Sequence, residues 1–117
     1  MQKNSFTDAF KFAFNGLALV YRERNFKRHL VSCAVVIMTA VCVHVTAMEW
    51  CILTLCMGLV LGFETLNTAI EKTVDRIGTE RHELSGQIKD MSAAAVLLVS
   101  VVSAVVGVLI FWPYFFN

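Results

Sequence analysis

Gly62-Phe-Glu-Thr-Leu-Asn-Thr-Ala-Ile-Glu-Lys-Thr-Val-Asp75 is the stretch that decides how this chain is read. It places Glu64 and Glu71 on one apolar segment, with Asn67 and Thr68 between them and Asp75 a turn later. The residues just before it, Cys51 to Leu61, carry no charge at all. At roughly 100° per helical residue, positions 64, 67, 68, 71 and 75 fall on one stripe. A carboxylate at membrane depth is costly, so the stripe must face a partner, water or a metal rather than lipid.

Working outward, the chain has 117 residues, 57% of them hydrophobic and 16% charged. That length supports one domain, and a soluble domain so small has too little interior to hide so much apolar surface. A bilayer span needs about 20 apolar residues. Three segments qualify: about Leu30 to Met48, about Trp50 to Thr73, and about Met91 to Phe115. The expectation is therefore an all-α integral membrane protein, a single membrane domain over residues 1–117.

The net charge of +1 conceals an asymmetry. Lys3, Lys11, Arg22, Arg24, Lys27 and Arg28 precede the first span, while Lys72, Arg76, Arg81 and Lys89 follow or end the second. The turn near His44 to Glu49 and the C-terminal tail contain no Lys or Arg. All basic residues thus fall on one side, which the positive-inside rule makes cytoplasmic. The N-terminus is expected inside and the C-terminus outside, with Trp50, Trp112 and Tyr114 near the outer interface. A cleaved signal peptide is not expected, because the first residues lack a compact apolar core followed by small residues.

Residues Ser5 to Arg22 read as an amphipathic helix lying in the headgroup layer. Phe6, Phe10, Ala13, Phe14, Leu17 and Tyr21 line one side, and Asp8, Lys11, Asn15 and Arg22 populate the rest. Gly58-x3-Gly62, Ser100-x3-Ala104 and Ser103-x3-Gly107 carry small residues at a spacing that lets helices approach closely, within a protomer, between protomers, or both. Gly78 is a plausible helix stop, and residues 78–90 form the polar cytoplasmic loop. Cys33, Cys42, Cys51 and Cys56 read as small buried apolar side chains, since no CxxC pair occurs. Cys42 and Cys51 flank the outer turn, where a disulfide has only weak support.

Glu23, Glu64, Asn67, Glu71, Asp75, Glu80, His82, Lys89 and Asp90 would gather at or just below the cytoplasmic interface. Several carboxylates with an amide suit a hard cation such as Mg²⁺, which takes one or two protein carboxylates and completes its shell with phosphates and water. Arg76, Arg81 and Lys89 could supply positive charge for a polyphosphate. Together they point to phosphoryl transfer between a water-soluble donor and a lipid acceptor. No GxxxxGK[ST] or GxGxxG motif is present, zinc-ligand spacing is missing, and no basic face suits nucleic acid. A packing network is the bland alternative for the stripe, and His29 and His44 read as packing or interface residues. Ion binding or transport by Glu64 and Glu71, and a purely structural subunit, are the readings from other classes.

Glu64-Thr-Leu-Asn-Thr-Ala-Ile-Glu71, Val74-Asp-Arg-Ile-Gly78, His82-Glu-Leu-Ser85, Lys89-Asp90 and Ala93-Ala-Ala-Val-Leu97 closely resemble the prokaryotic diacylglycerol kinase family, small integral-membrane lipid kinases. The resemblance covers essentially the whole chain. It implies a homotrimer with active sites shared between neighbouring subunits, in the bacterial inner membrane, acting on ATP and a lipid alcohol. By matching position, Glu23 and Glu71 would hold the Mg²⁺ ions that bridge the ATP phosphates. Glu64 would be the general base on the lipid hydroxyl, with Asn67 orienting groups nearby. Glu80, Arg81, His82, Lys89 and Asp90 would surround the nucleotide.

Two halves of the chain resemble different branches of that family. Glu23-Arg-Asn-Phe-Lys-Arg-His29 looks like the undecaprenol kinase branch, whereas Asp75-Arg-Ile-Gly and His82-Glu-Leu-Ser look like the diacylglycerol kinase branch. Ser92-Ala93 stands where the latter has Gly-Ser. Diacylglycerol is the expected acceptor, with undecaprenol the alternative.

Overall fold

The computed structural model describes residues 5–78 and 83–117, which form four α-helices. Helix α1, Phe6–Tyr21, starts at Ser5, whose hydroxyl accepts a hydrogen bond from the Asp8 backbone N–H at 3.2 Å. That contact satisfies one of the donors a helix start leaves free. Arg22 and Glu23 link it to α2, Arg24–Val43, and Lys27 Nζ lies 5.4 Å from the centre of the Tyr21 ring.

α2 ends at His44, whose left-handed backbone (φ 61°) reverses the chain. Thr46 then caps α3, Ala47–Ile77, with a reciprocal pair of bonds. The Thr46 hydroxyl accepts from the Glu49 N–H at 3.2 Å, and Glu49 Oε1 accepts from the Thr46 N–H at 2.9 Å. The run expected to span from about Leu30 to Met48 is therefore broken. Its helix begins earlier, at Arg24, and ends at Val43, while Ala47 and Met48 open the next helix. Apolar composition hid the break, which is set by the capping box rather than by hydropathy.

Gly78 stops α3 as its position suggests, and α4 runs Glu83–Phe116 with Pro113 inside its last turn. Residues 83–90, expected to be loop, are thus the first turns of a helix. Glu83, Leu84, Gln87 and Lys89 are good helix formers, and the dipole favours Glu83 in the first turn. Polarity marked that segment as lying outside the apolar layer without making it irregular.

α2, α3 and α4 are each long and apolar enough to cross a membrane. α3 packs chiefly on α4, α2 lies against α3, and α1 touches both α2 and α3. Ala40, Val45 and Leu53 form a small buried core near the α2–α3 turn, with Trp50, Met57 and Phe111 packed on it. Most large apolar side chains point outward, Val101, Val105, Val108 and Leu109 of α4 among them. In water such a surface would drive aggregation. In a bilayer it is the surface the solvent requires, with every helical backbone group bonded internally.

The four cysteines are free. A Cβ placed on Gly58, Gly62 or Gly107 would meet no atom within 4 Å, so these small residues do not seat one helix of this protomer against another. Thr46→Ala removes one side of the capping box. It is expected to lower stability by about 1 kcal/mol in a denaturant titration in detergent micelles; unchanged stability would mean the box contributes nothing to the α2–α3 turn.

Candidate active site

Glu64 sits in the middle of α3 and is 3% exposed, an unusual position for a carboxylate. Facing it from the second turn of α2 is His29, whose Nε2 lies 3.7 Å from Glu64 Oε2. One helical turn further along α3, Asn67 is 6% exposed and uses both ends of its amide. Its Nδ2 donates to Glu71 Oε1 at 3.0 Å, and its Oδ1 accepts from the Ser92 hydroxyl of α4 at 2.7 Å. Ser92, Asn67 and Glu71 form a directed chain that fixes the amide's orientation and aims the Glu71 carboxylate.

Glu23 arrives from the link between α1 and α2. Lys72 Nζ on α3 lies 3.5 Å from its carboxylate, both side chains being substantially exposed. Glu23, Glu64 and Glu71 line one polar cavity of about 480 Å³, together with Arg22, Arg28 and Thr68. Helical spacing brings Glu64, Thr68 and Glu71 to that wall, and the start of α2 supplies the opposite one.

A second cavity, of about 390 Å³, lies between α2, α3 and α4 and shares Glu64, Asn67, Arg28 and His29 with this region. It adjoins an apolar cleft of about 570 Å³ along the same three helices, lined by Val36, Leu53, Met57, Val60, Ala104 and Phe111 among others. His29 and Ser100 border both. The Ser100 hydroxyl is buried and has no hydrogen-bond partner among the described residues.

The sequence-predicted residues therefore divide. Glu23, Glu64 and Glu71 share a cavity, and Asn67 connects to Glu71. Lys89 instead pairs with Asp75, tying α4 to the last turns of α3, and Asp90 is exposed on α4. Neither Lys89 nor Asp90 lines any of these three cavities. Glu80, Arg81 and His82 lie outside the described residues. Among those described, no three His, Cys, Asp or Glu side chains converge as a metal cage.

Three contributors escaped the sequence reading. His29 looked like a packing residue, Ser92 like a departure from a family pattern, and Lys72 like one more cytoplasmic charge. Only His29 left a usable signal, as the last titratable residue before the apolar run that begins at Leu30.

Comparison with known proteins fits this geometry. A family model described as Prokaryotic diacylglycerol kinase matches residues 11–111. The chain is 39% identical over 111 residues to the undecaprenol kinase of Bacillus subtilis (strain 168), covering 94% of this chain and 90% of that one. It is 36% identical over 105 residues to the diacylglycerol kinase of Escherichia coli (strain K12), covering 89% and 86%. The diacylglycerol kinase of Haemophilus influenzae is 35% identical over 105 residues, covering 86% and 88%. Matched along nearly its whole length, with its acidic α3 stripe inside the matched region, the chain belongs to the prokaryotic diacylglycerol kinase family.

Proposed function

We propose that this protein is an ATP- and Mg²⁺-dependent lipid kinase that phosphorylates diacylglycerol to phosphatidic acid at the cytoplasmic face of the bacterial inner membrane. The observation that carries this reading is the junction at Glu64. A polar cavity rich in carboxylates and arginines opens on one side of it, and an apolar cleft continues on the other. A hydroxyl on a hydrocarbon chain and a charged phosphate donor could meet there.

In this reading Glu64 accepts the acceptor's hydroxyl proton while the lipid oxygen bonds to the γ-phosphorus of ATP and the bond to the β-phosphate oxygen breaks, releasing ADP. Glu23 and Glu71 fit a magnesium ion of the kind phosphate donors carry, because Mg²⁺ takes one or two carboxylates and fills its shell with phosphate and water. When bound, that ion neutralises charge on the phosphates. The protein's remaining work is positioning. Ser92 and Asn67 hold Glu71 in place, and Arg22 and Arg28 offset the negative charge of the donor. Arg81, Glu80, His82, Lys89 and Asp90 are assigned to the nucleotide on family resemblance.

The family resemblance implies a homotrimer with shared active sites, and the geometry is compatible with it. Lys89 and Asp90 stand away from the protomer's own carboxylate cavity, so a neighbour's pair would complete it. The open small residues Gly58 and Gly62, and the apolar outer face of α4, offer contact surface for that neighbour. α1 would lie in the headgroup layer, since Phe6, Phe10 and Phe14 all point away from the bundle. Charge asymmetry supports an inside N-terminus and an outside C-terminus.

The acceptor is inferred from Ser100. Its unpaired hydroxyl lies at the cleft's entrance, eight residues beyond Ser92 or about 12 Å along α4. A diacylglycerol carries ester carbonyls a few bonds from its hydroxyl, which Ser100 can donate to, whereas a polyprenol has no second oxygen. Undecaprenol is the alternative, favoured by the 39% identity to an undecaprenol kinase and by the Glu23–His29 segment.

Radiolabelled phosphate transfer from MgATP in mixed micelles tests the reading, with diacylglycerol and undecaprenol assayed in parallel. Labelled phosphatidic acid is expected, and label in undecaprenyl phosphate alone would reassign the acceptor. Glu71→Gln and Glu23→Gln should each lose nearly all turnover while the protein still inserts and assembles; wild-type turnover in either would remove that residue from the site. Ser100→Ala should lower kcat/KM for diacylglycerol roughly fivefold, the worth of about one hydrogen bond, and leave undecaprenol unaffected.

A further inference from the structure

Glu64 presents an electrostatic difficulty that the reaction alone does not resolve. A carboxylate only 3% exposed needs a partner for its charge wherever it is ionised. A neutral carboxyl cannot take a proton from a lipid hydroxyl. Something must therefore hold the negative charge on Glu64 before the acceptor arrives.

Among the described residues the group at ion-pair distance is His29, with Nε2 at 3.7 Å from Oε2. Its side chain is about one-quarter exposed and borders the cavity that Glu64 lines, so it can exchange protons with water through that space while still facing the carboxylate. The other charged groups facing this region are Arg22 and Glu23 before α2, Arg24 and Arg28 on α2, and Glu71 on α3. α4 contributes only Ala93, Val96, Leu97 and Ser100 to this cavity, none of them charged. The nearest partner able to change its charge to match Glu64 is thus the imidazole.

We infer that His29 is a positioning residue for the phosphoryl transfer: as an imidazolium it keeps Glu64 ionised, and it then takes the proton that Glu64 has removed from the lipid hydroxyl. The proton balance closes in two moves. The acceptor O–H bond breaks and Glu64 gains the proton as the oxygen–phosphorus bond forms. The imidazolium then loses its own proton to water in the cavity, and Glu64 passes the acquired proton to the vacated Nε2, restoring the ion pair for the next turnover. No redox change or further reactant is involved.

This inference rests on Glu64 being the base, and the test separates the two. Rate–pH profiles would be recorded in mixed micelles for wild type, Glu64→Gln, His29→Gln and His29→Lys, with saturating MgATP and lipid. Glu64→Gln is expected to abolish turnover at every pH. His29→Gln removes the counter-charge, so the acidic limb of kcat should move to higher pH by about one unit, the scale of an opposite charge at this distance. KM for MgATP should stay unchanged. His29→Lys restores a fixed cation and should return the acidic limb toward the wild-type position, but with kcat reduced because a lysine returns no proton near neutral pH.

If Glu64→Gln is inactive and His29→Gln keeps the wild-type acidic limb, His29 is a packing residue and the inference fails while the base assignment stands. If Glu64→Gln turns over like wild type, the base assignment itself fails. Should Gln at position 29 prevent folding, His29→Lys carries the test alone. An acidic limb shifted upward in that folded, cationic variant would overturn the inference.

Discussion

Placing one carboxylate inside an apolar scaffold is the constraint on which the rest of this structure depends. Unpaired, an ion at the depth of Glu64 costs several kcal/mol, and breaking a buried pair typically costs about 3–5 kcal/mol. The fold answers with a second helix carrying His29 and with Asn67 one turn away on α3. The apolar cleft between the same helices adjoins the cavity that the carboxylate lines.

Hydrogen bonding along the α3–α4 seam follows one direction. Lys89 holds Asp75, Ser92 holds Asn67, and Asn67 holds Glu71. Two of these contacts cross between helices whose partners lie 14 and 25 residues apart in sequence. Ser92 and Asn67 are both buried, and their bond fixes register as well as energy, because sliding either helix by one residue would strand both groups. Among the described residues, α2 and α3 share no comparable ladder and meet through the His29–Glu64 pair and apolar contacts.

Much of this was legible in the sequence. Three apolar runs account for the three long helices, and the Glu64–Asn67–Glu71 stripe is visible at helical spacing. The end of α2 was not legible, because Val43, Val45 and Ala47 continue the apolar run through a turn decided by the Thr46–Glu49 cap. Nor was the helical state of residues 83–90, since hydropathy reports depth and not backbone conformation. The partners of the site escaped for a different reason. Ser92 and His29 become meaningful only when α4 and α2 fold onto α3, and pairing across such separations leaves no periodic trace along the chain.

The short connection between α2 and α3 has a mechanical consequence. Only His44, Val45 and Thr46 join those helices, and the buried core of Ala40, Val45 and Leu53 lies beside that junction. Tyr114 adds a clasp there by donating its hydroxyl to Glu49, fastening the far end of α4 to the start of α3. α2 is thus hinged to α3 at this turn, while α4 is tied to α3 near both ends. A small angular excursion at that pivot becomes a displacement of several ångströms some 20–30 Å away along helices rising 1.5 Å per residue. The far end of α2 is the one beside the carboxylate cavity, where the His29–Glu64 and Glu23–Lys72 pairs hold it to α3, so such an excursion would be felt first at those contacts.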